Sequence, residues 1–239
     1  MTLHEMIFKR KSCRQFTGKP VEAEMITKIL SFEPKPLYPE IKVRMNIVSK
    51  DKIKCIFPWT TPQVIAVYSQ ETEGYLENVG FLFQQMDLYL QTLSLGVCWL
   101  GVGRMNPKTA PEVEGMKFVI MLAFGHPKGD QLRQNLKGFH RKSLEKIADK
   151  VDPRLEPARL APSSINSQPW YFVHEGKTIH AYCAGKGIIP YMNRIDMGIV
   201  LAHLYVANEK TFRFFKAENA PGVPGYGYIG SFTIQEETV

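Results

Sequence analysis

The chain has 239 residues and a formal charge of +7 at pH 7, enough for one large domain or two small ones with cores of their own. Lysine and arginine are spread along it, which implies a general attraction for anions such as phosphates and argues against a nucleic-acid footprint or nucleic-acid partner, since that needs basic residues clustered on one face. Cys13, Cys55, Cys98 and Cys183 are too scattered for a zinc site or redox pair and fit a reducing, cytoplasmic setting, while no apolar window approaches a membrane span and residues 1–11 lack a hydrophobic run of signal length.

Residues 1–9 read as a helix capped by Thr2, with Glu5 three positions on and Leu3, Met6 and Ile7 as its apolar face. It runs into Arg10-Lys11-Ser12-Cys13-Arg14-Gln15-Phe16. A second helix opens at Val21 and reaches Phe32, burying Met25, Ile26, Ile29 and Leu30. After a proline-rich loop, residues 41–48 alternate as a strand and 64–68 read as a short buried one. Residues 50–57 are ambiguous. Residues 78–95 carry Val79, Leu82, Phe83, Met86, Tyr89, Leu90 and Leu93 at helical spacing, with apolar residues on further faces. That predicts a central, largely buried helix, stopped by Gly96. Residues 97–103 form a tight apolar-glycine segment, 118–124 a buried strand, and 143–148 begin another helix.

The second half repeats the first more briefly. Residues 153–159 are helix-like, 171–174 and 178–183 read as strands, 196–209 as an apolar helix and 225–234 as a closing strand. Asn78-Val79-Gly80 and Asp196-Met197-Gly198 open the two apolar helices alike. The repeated order predicts two related halves, 1–148 and 149–239.

Two stretches carry candidate chemistry. Arg10-Lys11-Ser12-x-Arg14 offers two guanidiniums and a hydroxyl, a set able to grip a phosphate; the same run is also compatible with a solvated basic loop. Residues 160–170 read Leu-Ala-Pro-Ser-Ser-Ile-Asn-Ser-Gln-Pro-Trp. Pro162 and Pro169 bias the residues before them out of the helical region. Ser163, Ser164, Asn166 and Gln168 then offer donors and acceptors to the edge of a flat polar ligand, or else bond their own backbone in an ordinary helix-to-strand loop.

Taken together, these stretches resemble the FMN-dependent nitroreductase family. Leu95-Gly96-Val97-Cys98-Trp99-Leu100-Gly101 is similar to the family's Leu-Gly-x-x-x-Trp-x-Gly segment. Residues 118–125 are similar to its apolar strand ending in glycine. Arg141-Lys142-Ser143-Leu144-Glu145 is similar to its basic element before a helix. The order departs from the family pattern, because the Pro-Ser-Ser stretch normally follows the second N-terminal helix and here stands in the second half. In ordinary members two chains share each flavin. The resemblance therefore implies a fused, diverged pseudo-dimer with one flavin site per chain. It implies an α+β nitroreductase-like fold, with a mixed or antiparallel sheet packed with helices.

By this resemblance, Arg10, Ser12 and Arg141 hold the FMN phosphate, with Lys11 in the same tract and Lys142 either helping or facing solvent. Arg14 sits by the pyrimidine edge of the isoalloxazine and raises the flavin's potential. Pro162, Ser163, Ser164 and Asn166 line the ring, and Leu100 and Gly101 present backbone N–H groups toward N5. Gln168 and Trp170 are assigned to loop bonding and packing, and His126 and His140 to structural or solvated roles. The implied reaction is ping-pong: NADH or NADPH reduces the flavin, and a nitroaromatic or quinone takes the electrons. No side-chain catalyst and no metal are expected. The competing functions are a non-enzymatic FMN-binding or flavin-handling protein and a structural protein without cofactor. Fusion favours a monomer, with a homodimer through apolar helices as the other arrangement.

Overall fold

A computed structural model describes residues 1–55, 61, 63–130, 132–185 and 190–234. Residues 56–57 of the ambiguous segment lie outside the described residues. The chain divides into two compact units: Met1–Tyr75 with Gln85–Asn135, and Leu76–Gln84 with Leu136–Val239.

In the first unit, α1 (Leu3–Ile7) is shorter than the pattern of residues 1–9 because Phe8 already caps it. Its N-terminus is a reciprocal capping box: the Thr2 N–H donates to the Glu5 carboxylate at 2.8 Å and the Glu5 N–H to the Thr2 hydroxyl at 3.1 Å. Then follow α2 (Ala23–Leu30), β1 (Val43–Ser49), β2 (Ile53–Lys54) and β3 (Gln63–Ser69). The predicted buried face of α2 narrows to Ile29, and Leu30 is 55% exposed. The reason is that Leu30 and Ile26 wall an open groove with Met45 and Ile47 of β1.

The long helix α3 (Tyr75–Thr92) leads to β4 (Gly96–Leu100), β5 (Arg104–Met105) and β6 (Lys117–Gly125). Gly96 does not stop α3. The helix ends at Thr92, four residues earlier, and Ser94 takes the left-handed conformation (φ 63). Its N–H donates to the Gln91 carbonyl and that of Leu95 to the Leu90 carbonyl, both at 3.1 Å, the paired bonds of a Schellman close. Gly96 opens β4 instead, and its bareness serves a close approach, since a Cβ there would stand 2.5 Å from Cys13 Sγ. The sheet order is β1-β3-β6-β4, antiparallel throughout, with Ile47 opposite Ile65 and Cys98 opposite Ala123. β3 is interior and apolar, and it packs Val64, Ala66 and Tyr68 with Cys13, Phe16, Leu100 and Met121.

In the second unit the predicted helix over 143–148 shrinks to a single 3₁₀ turn, Leu144–Lys146. The chain is instead drawn extended: the Phe172 N–H donates to the Ile147 carbonyl at 2.8 Å, and the Asp149 N–H to the Phe172 carbonyl at 3.0 Å. Next come α4 (Glu156–Leu160), β7 (Trp170–Glu175), β8 (Thr178–Ala184), α5 (Pro190–Ala207), β9 (Arg213–Phe215) and β10 (Tyr226–Thr233). Their sheet runs β7-β8-β10-β9, also antiparallel. Phe232 joins its core by an edge-on contact with Phe172 and a stacked one with Phe212.

Both sheets therefore have one order. Counted along the chain, the strands lie first, second, fourth, third, with the long helix between second and third. The α+β class, with antiparallel sheets packed with helices, is as expected. Within the second unit, residues 76–84 of α3 cross α5 at two glycines. A Cβ on Gly80 would run into the Ile195 carbonyl, and a Cβ on Gly198 into the Glu77 carbonyl. Each glycine thus meets the carbonyl three residues before the other. Among the described residues no helix is long and apolar enough to cross a membrane.

Candidate functional site

The predicted site residues fall into two groups. Arg10, Lys11, Ser12, Arg14, Leu100 and Gly101 belong to the first unit, and Arg141, Pro162, Ser163, Ser164 and Asn166 to the second.

The N-terminal basic tract is stitched into the first unit. The Lys11 N–H donates to Gln91 Oε1 at 3.0 Å, the Cys13 N–H to the Val97 carbonyl at 2.8 Å, and Ser12 bridges to Val97. Arg10 is 1% exposed. Its Nη2 lies 3.3 Å from both the Asp87 carboxylate and the Ser12 hydroxyl, and its Nε has no hydrogen-bond partner among the described residues. Asp87, itself fully buried, also accepts from Trp99 Nε1 at 3.2 Å and from Gln91 Nε2. A buried guanidinium needs such a partner. Arg133 joins the tract, its N–H donating to the Lys9 carbonyl at 2.8 Å. Burial first, then the charges of Arg10 and Arg14, pushes the Arg133 guanidinium below its ordinary range.

Leu100 ends β4 with its side chain in the core, and half-buried Gly101 enters a turn closed by the Gly103 N–H on the Leu100 carbonyl at 3.1 Å.

In the second unit, the loop between α4 and β7 is unusual. Ile165 (φ 48), Asn166 (φ 59) and Gln168 (φ 48) are all left-handed without being glycine, which costs about 1–2 kcal/mol each. A β-branched residue there is a true outlier, and Ile165 gains little packing in return, being 69% exposed. Strain of this kind persists only where surroundings over-determine it.

Those surroundings are visible. Arg141 Nε donates to the Ala161 carbonyl at 2.9 Å, and its Nη1 to the Phe139 carbonyl at 2.8 Å and to Asn166 Oδ1. Asn166 Nδ2 returns a bond to the His140 carbonyl at 2.9 Å. Lys142 Nζ donates to the carbonyls of Ser167 at 3.0 Å and Gln168 at 2.9 Å, and its N–H to Gln168 Oε1 at 2.7 Å. Burial, then Lys146, pushes the Lys142 ammonium down. The Gln168 N–H donates to the Ser163 hydroxyl at 2.9 Å. Beneath the loop, both oxygens of buried Asp196 accept the Ser164 N–H at 3.1 Å. Burial pushes Asp196 up to about 8 despite that bond.

Arg141, expected at a phosphate, thus spends three of its N–H groups on neighbouring carbonyl groups of the backbone and of Asn166. Gln168 and Trp170 are in the loop-bonding and packing roles expected of them, Trp170 being 1% exposed. His126 lies 3.1 Å from the Glu22 carboxylate, and His140 is a left-handed loop residue (φ 50). Asp87, Gln91, Arg133 and Asp196 were not anticipated. A carboxylate inside the apolar stripe of α3 is a readable signal for Asp87, since a buried acid needs a partner. Nothing local marks Arg133.

The family model described as "Putative TM nitroreductase" matches residues 2–208. Among solved structures, a "putative nitroreductase" from Thermotoga maritima MSB8 is similar with a TM-score of 0.67 at 19% identity, over 98% of this chain and 94% of that one. A likeness at that identity speaks for the fold. A nitroreductase family protein from Clostridium novyi NT is 18% identical over 54% of this chain and 87% of its own, with a TM-score of 0.45. An FMN-dependent nitroreductase from Clostridium difficile R20291 is 16% identical over 56% of this chain and 95% of its own, with a TM-score of 0.42. These two scores add nothing to the fold assignment. No curated protein matches the chain.

Proposed function

The chain belongs to the nitroreductase family whose model spans residues 2–208, and on that premise we propose that it is an FMN-dependent oxidoreductase. It takes hydride from NADH or NADPH and passes it to a small-molecule acceptor, a nitroaromatic or a quinone. The observation that carries this reading is buried Arg10, whose Nε has no hydrogen-bond partner among the described residues, beside Arg133, whose guanidinium is pushed down by burial first and then by the charges of Arg10 and Arg14. Such a set fits a phosphate. The hydroxyl and amide side chains of the Pro-Ser-Ser loop fit the polar edge of a flat ring.

FMN, when bound, supplies the hydride chemistry. The protein's part is to bind and orient. Arg10, Ser12 and Arg133 hold the phosphate, with Lys11 adding charge. Arg14 stabilises negative charge at the ring's pyrimidine edge. The N–H groups of Leu100 and Gly101 would serve the reactive edge of the flavin, and Pro162, Ser163, Ser164 and Asn166 would bound its ring. One FMN per chain is what a fused pseudo-dimer implies. The shared strand order and the reciprocal Gly80–Gly198 crossing support that ancestry.

The test is the visible spectrum of the purified chain, with released cofactor identified and then anaerobic NADH or NADPH added. About one FMN per chain, bleached by a nicotinamide and restored by an acceptor, is expected. FMN that stays oxidised would make the chain a flavin-binding protein without turnover. Loss of one charge-assisted phosphate contact should cost about 1.5–3 kcal/mol of FMN binding in Arg133→Gln, and Ser163→Ala should cost less, about 1 kcal/mol. Unchanged affinity in Ser163→Ala would exclude the Ser163 hydroxyl from the site.

A further inference from the structure

Arg141-Lys142-Ser143 repeats the tripeptide Arg10-Lys11-Ser12, and each stands before the short helix that precedes the first strand of its sheet. We infer that Arg141 and Lys142 are the second unit's counterpart of that tract turned to another use: they are positioning residues that clamp the Ser163–Gln168 loop in its left-handed form, and not phosphate ligands. The inference rests on the FMN reading for its consequence, but its geometry is independent of it.

The bonds point inward. Arg141 and Lys142 reach Ala161, Asn166, Ser167 and Gln168, and each charged group ends on carbonyl oxygens of the loop or its neighbours. Cationic donors make shorter and stronger bonds to such oxygens than neutral ones. Three left-handed non-glycine residues within four positions need that help beyond the loop's own bonds among Ser163, Ser164, Asn166, Ser167 and Gln168. The fifth position of the tract has also changed sign. Where the first unit has Arg14, the second has Glu145, a carboxylate that takes the Ser143 hydroxyl and opposes an anion. The second tract has kept its cations, and the loop's backbone has become their anion.

FMN and riboflavin differ by the phosphate alone, so they separate the two roles. Dissociation constants for both would be measured by quenching of flavin fluorescence on the full chain carrying Arg141→Ala, Lys142→Met or Asn166→Ala. Amide exchange over residues 163–168 would be followed in parallel. A clamp predicts an equal loss for FMN and riboflavin, about tenfold for Arg141→Ala. It also predicts faster exchange confined to the loop. Arg133→Gln should instead lose FMN and spare riboflavin. A loss of FMN affinity alone in Arg141→Ala would make it a phosphate ligand and overturn the inference, as would loop exchange unchanged in Arg141→Ala and Lys142→Met. If Arg141→Ala fails to fold, Lys142→Met and Asn166→Ala each remove one end of the clamp and decide the matter. If the wild-type chain binds neither flavin, the FMN reading falls, while loop exchange still judges the clamp.

Discussion

The same tripeptide, arginine-lysine-serine, occurs once in each unit, and its two settings differ in what accepts its hydrogen bonds. At Arg10 the acceptors are one buried carboxylate and one hydroxyl, and Nε is left without an acceptor among the described residues. At Arg141 they are carbonyl oxygens of the backbone and of Asn166, which use the donors and order a strained loop. A basic run is therefore a binding site or a fastening according to its acceptors, and not according to its own letters.

The comparison can be broken most sharply at Asp87. Removing that carboxylate strands Arg10 as an unpaired buried charge, so Asp87→Asn should destabilise the chain by about 3–5 kcal/mol in a denaturant titration. A loss below about 1 kcal/mol would mean that Arg10 has other compensation. Next in size is the sign of the fifth position. Arg14→Glu makes the first tract read like the second and should weaken FMN binding about 30-fold or more. Glu145→Arg makes the second read like the first, yet FMN should stay at one per chain if the loop bonds already occupy Arg141 and Lys142.

The last effect is a slope. Asp196 is raised to about 8 when folded, against an ordinary carboxyl near 4 in the unfolded chain. The folded state thus holds more protons between those values, and the stability linked to Asp196 is present below pH 4 and lost as pH rises through 8. In Asp196→Asn the fall in melting temperature from pH 5 to 8 should flatten. An unaltered slope would place the proton elsewhere.

Both candidate stretches were legible in the sequence because they join rare residue combinations: paired arginines around a serine, and hydroxyls and amides between two prolines. Their partners were less so. Asp87 stands out as an acid in the apolar stripe of α3, but Arg133 joins the first tract by its N–H on Lys9, a long-range bond that no local pattern encodes. The end of α3 was misread because glycine is the usual left-handed cap and Ser94 took that place. The helix expected at 143–148 was lost to pairing with β7, where tertiary context outweighs propensity. β9, three residues long, is too short to show a period.

The crossing of Gly80 and Gly198 has a consequence for genetics. Each glycine makes room for the other helix's backbone, and neither position has a side chain left to shorten. A substitution at one therefore has no compensating partner at the other. Selection for suppressors of Gly80→Ala should return the original glycine, or changes that move a whole helix, rather than a reciprocal replacement across the contact.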